Sequence, residues 1–542
     1  MSLRGFFKEG IICPMNSVMR KAAILLILTG MLLSACGTNL WGTYAPTLTA
    51  TPSSVVTVES VETASITPEP SATNLLMPLS TTQTATVIPS PTATPTVSVT
   101  PGTPRPKIIY YSQSGDYLAA VAVHFGVQVS EISSPSSLPT GGFLNPNTLL
   151  LIPNTLDQSS TTPSQQIMPD SEIIYSPSAQ DFDIKGYIDS AGGKLSTFRE
   201  SMGTIMISGA EGVRQIALET SFNPRMLLAF IQYYTGWVQG YPNAGVNETY
   251  PLGYHEPLYS GLTQQLKLLV REILAGYYGW RDGSLTSLTF PDGTSLRLAP
   301  ELNAGSVALQ YMFSRHLNYT DWLTAIDANT GFPAFYKSMF GDALERANEI
   351  GPLFPPGMTQ PTFTLPFEVG VPWTLTGGPH PAWEQGSAWA ALDFGPPMDA
   401  PGCGVSNAWV VAISAGKIVR SETGYVVLDL DGDGFEQTGW VVLYLHIATK
   451  DRIPVGTWVN AGDHIGHPSC EGGIANGTHF HIARKYNGEW VNAGDPLPFI
   501  LSGWTAHAGN APSQGFLSKD GQMVIASPYS EHQSQIIRQP GE

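Results

Sequence analysis

Read as a pattern of apolar and polar positions, the 542-residue chain divides into segments of different character. An apolar run, Ala22 to Leu33, follows Met19-Arg20-Lys21. It is too short to span a bilayer and reads as the core of an export signal, so 1–36 is a leader. Residues 37–107 show no period. Their Thr, Pro and Ser carry too little apolar surface to offset ordering entropy, and the expectation is an extended tether. At 108–156 the pattern returns. Ser114-Gly115-Asp116-Tyr117 turns into a helical run (Leu118, Val121, Ala122, Phe125), Gly126 to Ile132 opens as a second helix, and Leu149 to Pro153 reads as a strand. A Ser/Thr/Pro/Gln linker is expected at 157–171. Residues 172–355 are helical: Asn223-Pro224 places a cap before a first-turn proline, and Met226, Leu227, Phe230 and Ile231 share one face. Further helical runs are Leu262 to Ala275 and Val307 to Phe313. From 362 to 505, short Val/Ile-rich runs between Gly turns (Ala408 to Ser414, Lys417 to Arg420, Tyr425 to Leu430, Trp440 to His446) predict antiparallel strands. Residues 506–542 read as a polar tail. The expected fold class is multidomain: a strand–helix–helix–strand module, a mainly helical middle domain, and a C-terminal antiparallel β-sheet domain.

Composition narrows the function classes. With 26 Lys and Arg against 43 Asp and Glu, the formal net charge is -17. So acidic a chain is a poor nucleic-acid binder and lacks a polybasic patch for anionic lipid. Of the four cysteines, Cys13 lies in the leader. Cys36 ends Leu33-Ser34-Ala35-Cys36, which resembles a bacterial lipoprotein box and implies a lipidated mature N-terminus at Cys36, anchored in a membrane and facing the wall. Cys403 and Cys470 remain, both in the sheet segment. An exported compartment permits a bridge between them, which is expected over two free thiols.

The candidate chemistry sits in the sheet segment. His380 follows Gly377-Gly378-Pro379; Asp393 follows Ala390-Ala391-Leu392; His446 closes Leu443-Tyr444-Leu445; and His479-Phe480-His481 follows Cys470-Glu471-Gly472-Gly473 at a short distance. An unpaired carboxylate in the apolar setting of Asp393 would be costly, and a metal removes that cost. His479 and His481 fall on one strand face. Zinc takes imidazole and carboxylate ligands and keeps a position for water at catalytic sites, which fits His380, Asp393 and one histidine of the pair. Five further histidines read as structural or solvated: His124 on a helix surface, His255 and His316 structural, His507 and His532 in solvent. Asp429-Leu430-Asp431-Gly432-Asp433-Gly434 resembles the start of a calcium loop, but Trp440 stands at the twelfth position where a bidentate Glu belongs. A hairpin turn is the preferred reading.

These motifs, in this order, resemble the lysostaphin/LytM-type zinc endopeptidases, which cut peptidoglycan peptides. The thirteen-position step from His380 to Asp393 and the Cys-Glu-Gly-Gly run before His-x-His resemble the beta-lytic and staphylolysin branch. The resemblance covers about 362–505. It implies a zinc site of His380, Asp393 and His481, with His446 and His479 as the histidines that orient the nucleophile or pass protons. No Glu of a His-Glu-x-x-His motif appears. Thr478 stands where proline is common, and Ile447 where leucine is common. The Gln113-Ser114-Gly115-Asp116 segment and Leu150-Leu151-Ile152-Pro153 resemble a LysM module, implying affinity for N-acetylglucosamine glycans, with Tyr117 in place of the usual Thr. The segment from Asn223 to Trp237 resembles a lysozyme-type signature, but its acid position is Tyr234, so a relative of that kind would be inactive or glycan-binding only. The resulting expectation is an exported, lipid-anchored zinc endopeptidase acting on peptidoglycan. The competing readings are a non-catalytic regulator of other wall hydrolases and a surface protease acting on other glycine-rich peptides.

Overall fold

Each segment of the chain forms its secondary structure for a local reason, and the segments then close on one another. The computed structural model describes residues 106–157, 160–397, 402–529 and 531–542. The leader, Cys36 and almost all of the tether lie outside the described residues. All that is described belongs to one compact unit beginning at Ser98.

In the N-terminal module β1 (Ile108–Tyr111) pairs antiparallel with β2 (Leu149–Ile152), and α1 (Leu118–Phe125) packs beneath them. Tyr110, Val121, Phe125, Leu150 and Ile152 form its core. The expected second helix is a single 3-10 turn, Val129–Glu131. Pro135 disfavours further helix, and Ser133 instead pairs with Leu151 in extended backbone. His124 departs from expectation as well. It is buried, its ring lies flat on Trp280 with centroids 3.6 Å apart, and its Nε2–H donates to the Trp280 carbonyl at 2.9 Å. Burial lowers its pKa to about 3. The surface it occupies in an isolated module is a contact surface here.

The helical segment contains α2 (Gly209–Thr220), α3 (Pro224–Thr235), α4 (Leu262–Arg281) and α5 (Ala304–His316). Asn223 caps α3, its side chain accepting from Arg225 N, with Pro224 in the first turn. α4 runs past the expected Ala275 to Arg281. Tyr234, at the position an acid would need, stacks its ring on Phe230. The stretch expected as a second linker is packed: Met168 is buried, and Ile167 N and Met168 N donate to Ser306 Oγ at 2.7 and 3.2 Å. Asp170 Oδ1 accepts from Gly305 N at 2.7 Å, satisfying an orphan donor at the start of α5.

In the C-terminal segment β3 (Pro372–His380), β4 (Ala391–Gly395), β5 (Gly416–Glu422), β6 (Gly424–Asp429), β7 (Trp440–Ile447), β8 (Trp458–Val459), β9 (Phe480–Tyr486) and β10 (Glu489–Trp490) join a nine-stranded sheet. Its order is β8-β5-β6-β7-β9-β4-β3, then Gln535–Ile537 at the edge, with β10 on β9. The polar tail is thus structured. Ile500–Leu501, Trp504–Ala508, Gly515–Lys519 and Gln522–Ile525 make a four-stranded sheet, and Gln535–Ile537 pairs with β3. His507 is half-buried, stacked on Phe516 and bonded to Ser518 Oγ. The link between β6 and β7, expected as a tight turn, is a loop over 430–439.

The large sheet is buried on both faces. Leu392, Phe394, Val442, Tyr444, Phe480 and Ile482 enter the core beneath it; Ala391, Val441, Leu443, Leu445 and Ala483 enter the core shared with the helical segment. Arg281, at the end of α4, ties the parts together. It donates to Glu489 (Nε–Oε1 2.9 Å, Nη2–Oε2 3.1 Å), to Asp170 Oδ2 at 2.8 Å and, through Nη1, to the Ser114 carbonyl. Removing one member of a buried charged cluster leaves the others unpaired, at about 3–5 kcal/mol. Arg281→Ala is therefore expected to lower unfolding free energy by about that amount in urea denaturation, with module and sheet loosening in the same transition.

Candidate metal centre

The site arises from strand register. Across the sheet, Tyr425 pairs with Leu445, Leu445 with His481, His481 with Asp393, and Asp393 with Gly377. Side chains alternate along a strand, so His481 and Asp393 point to the same side as Ala483 and Ala391, one step beyond where the helical segment covers the sheet. Opposite Asp393 only glycine fits: a Cβ on Gly377 would lie 2.8 Å from Asp393 Oδ2. His380, at the end of β3, completes the group.

His380 Nε2, His481 Nδ1 and Asp393 Oδ1 form a nearly equilateral triangle, with sides of 3.1, 3.2 and 3.2 Å. The far nitrogen of each imidazole is bonded to a backbone carbonyl: His380 Nδ1–H donates to Gly378 O and His481 Nε2–H to Ala382 O, both at 2.8 Å. A carbonyl only accepts, so each ring carries its proton on the outside and turns a lone pair inward. Asp393 Oδ1 is buried and accepts no hydrogen bond. Two lone pairs and a carboxylate oxygen thus converge on one point with no donor among them. Burial works to raise the Asp393 carboxyl, but His380 outweighs it and holds the group well below the ordinary carboxylate range. Burial works to lower His380, and Asp393 outweighs it and raises the ring. With both rings neutral, as their outward bonds set them, the carboxylate lacks that positive partner, and a metal cation would take its place. Tetrahedral zinc at its usual bond lengths spans ligand–ligand edges of about 3.3 Å, which matches the triangle, and two imidazoles with one carboxylate are a donor set zinc takes. The residues fit the metal.

His446 and His479 flank the triangle, their rings 4.5 Å apart, with His479 Nε2 at 4.0 Å from Asp393 Oδ2. Each donates Nδ1–H to a carbonyl, His446 to Glu471 O at 2.9 Å and His479 to Gly477 O at 2.8 Å, leaving Nε2 as an acceptor. Burial, then the neighbouring His479 and His481, lowers His446 to about 3. Cys403 and Cys470 form the expected disulfide. A second group, Asp429 at the end of β6 with Asp431 and Asp433 of the 430–439 loop, brings three carboxylates together; Asp429 already accepts from Gly432 N and Gly434 N. His255 has a ring contact with Tyr250, and His316 an ion-pair contact with Glu272 at 2.7 Å.

Sequence reasoning missed the parts that hold these side chains. The Gly378, Ala382, Glu471 and Gly477 carbonyls carry no residue signature. The end of β3 before His380 is also fastened by the tail, with Gly378 N donating to Ser513 O at 2.8 Å and Ser513 N to Pro379 O at 3.1 Å.

Comparison with known proteins places residues 166–352 in a match to the family model of the LasA N-terminal domain. Among solved structures the chain is similar to pseudoalterin, an M23 metalloprotease from the deep sea, at 23% identity over 33% of this chain and 100% of that one, with a TM-score of 0.27. It is similar to a zinc-containing peptidase from Vibrio cholerae at 21% identity, over 26% of this chain and 41% of that one, with a TM-score of 0.20. It is also similar to the catalytic domain of lysostaphin from Staphylococcus simulans at 24% identity, over 23% and 89%, with a TM-score of 0.16. No curated protein matches the chain.

Two outcomes are expected. Gly377→Ala pushes the Asp393 carboxylate out of the triangle and weakens zinc affinity at least about tenfold, read by competition with a chromophoric chelator. His446 holds a proton only below about pH 3, well under the unfolded value near 6.5. Nitrogen-15 NMR at pH 5 is therefore expected to show a neutral ring protonated at Nδ1. Below the unfolded value the unfolded chain binds the extra proton, so the contribution of His446 to stability is present above about pH 6.5 and is lost as pH falls toward about 3.

Proposed function

We propose that this chain is a zinc-dependent endopeptidase that hydrolyses peptide bonds of peptidoglycan. The observation that carries the reading is the convergence of two carbonyl-locked imidazole lone pairs with an unpartnered, buried carboxylate oxygen. Zinc held by His380, Asp393 and His481 would supply Lewis-acid polarisation of a scissile carbonyl and a water. The chain's own residues do the rest. His446 and His479 present Nε2 acceptors beside the triangle. His479, the more exposed of the two, takes a proton from the attacking water and returns it to the leaving amine nitrogen, while His446, kept neutral by burial, orients the water. The choice of wall peptide as substrate rests on the sequence resemblance.

The same proposal includes the parts that bring the enzyme to its substrate: export, a lipid on Cys36, the tether, and the LysM-like module holding N-acetylglucosamine glycan. Part of that module is engaged elsewhere, since Ser114 and Gln113 contact Arg281 and Glu301. Its remaining surface is the part available to a glycan.

The test is zinc content together with solubilisation of purified peptidoglycan, for the full chain and for His481→Ala. The expected result is about one zinc per chain, as for a single three-ligand catalytic site, with release of wall peptide, and loss of both in the variant. Zinc without cleavage of wall or of glycine-rich peptides moves the chain to the non-catalytic regulator. Cleavage of glycine-rich peptides but not of wall moves it to the surface protease. Absence of zinc removes the metal assignment.

A further inference from the structure

We propose that Thr478 and the Cys403–Cys470 bridge form one positioning device for His446 and His479, separate from the supports of the metal triangle. The inference rests on the peptidase reading and assigns these three residues a place in it.

His446 has φ +65, a left-handed conformation that a histidine keeps only where its surroundings over-determine it. Its restraints come from around Cys470. Ser469 N and Ser469 Oγ both donate to the His446 carbonyl, at 2.7 and 3.0 Å, and the Glu471 carbonyl takes the His446 Nδ1–H. Ser469 also bridges in antiparallel fashion to His479, so this short segment lies between the two histidines.

The segment before His479 is fastened from the other cysteine. Thr478 N donates to Gly402 O at 3.0 Å. Thr478 Oγ1 donates to Gly404 O at 2.7 Å, lies 3.1 Å from Gly402 O, and accepts from Gly404 N at 2.9 Å. Gly402 and Gly404 flank Cys403. The disulfide joins these two sets of contacts across 67 positions of sequence. A proline at 478 has neither the N–H nor the hydroxyl, and so makes none of these bonds.

The triangle is held differently. His380 and His481 lean on the carbonyls of Gly378 and Ala382, in β3 and the loop after it. Loosening the bridge or Thr478 therefore moves the two flanking histidines and leaves the three inward ligand atoms in place.

The experiment uses the full chain loaded with zinc, as wild type, Thr478→Val, Thr478→Ser, and Cys403→Ser with Cys470→Ser. It measures bound zinc, kcat and KM on a wall peptide, and carbethoxylation rates of His446 and His479 by diethyl pyrocarbonate, read by mass spectrometry. The expected result is unchanged zinc and KM, kcat lowered about tenfold or more in Thr478→Val and in the double variant, and recovery in Thr478→Ser. Carbethoxylation of His446 and His479 rises with the loss of kcat. Loss of zinc alongside kcat overturns the proposal, because the bridge would then support the triangle. Unchanged kcat in both variants also overturns it while leaving the peptidase reading intact. If the wild type binds zinc and cuts nothing, the peptidase reading falls, and the carbethoxylation rates alone decide: equal rates in all four proteins refute the positioning device.

Discussion

The site depends on one constraint of sheet geometry: a strand has two faces, and here both are buried. The even positions of β9 fill the core beneath the sheet, while its odd positions face the helical segment. A polar cluster open to solvent has room on such a sheet only where the cover ends. His481 and Asp393 occupy that margin, one step along their strands from Ala483 and Ala391, which are sealed under helices. The register that puts them side by side is the same one that aligns the apolar rows. A slip of one position would send His481 and Asp393 into the core beneath and Phe480 and Phe394 into the site. The hydrophobic pattern therefore specifies the position of the polar group.

Around that margin the imidazoles are oriented by backbone carbonyls. Four histidines each give one ring proton to a carbonyl, at 2.8 to 2.9 Å. The carbonyls belong to backbone fastened by other segments: Gly378, in β3, by Ser513 of the tail, and Glu471 and Gly477, in loops, by the segments that meet at the disulfide. The arrangement of these clustered side chains draws on backbone from residue 378 to residue 513, which is why the C-terminal strands belong with the cluster.

The legibility of the chain follows from what kind of interaction each residue makes. The shared face of His479 and His481 was readable because period two is a property of any strand. Asp393 was readable because a carboxylate among Ala and Leu needs a partner. The cap and apolar face of α3 were readable because both lie in local sequence. His124 was misread because its neighbours in sequence describe an isolated module, while Trp280 covers it from 156 positions away. The tail was misread because Gln535–Ile537 joins β3 through backbone hydrogen bonds that side-chain polarity does not report. The 160–171 stretch looked like a linker by composition, yet Asp170 both caps α5 and pairs with Arg281. In each miss the deciding partner was distant, and often it was main chain.

The same packing bears on how the helical segment relates to the site. Val441, Leu443, Leu445, Ala483, Tyr425 and Trp490 lie in a core shared with α2, α4 and α5. Lys485 and Glu436 pair at 3.1 Å within it, and Ser221 Oγ donates to Gly488 O at 2.7 Å across it. Without the helices, this face of the sheet would become an exposed apolar patch containing buried charges, a surface that soluble monomers avoid. The loop between His380 and Asp393 is also held from the helical side, with Glu384 3.5 Å from Lys267 of α4. That loop carries the Ala382 carbonyl that orients His481. The helical segment therefore braces the loop whose Ala382 carbonyl orients His481, from a helix more than a hundred residues before it.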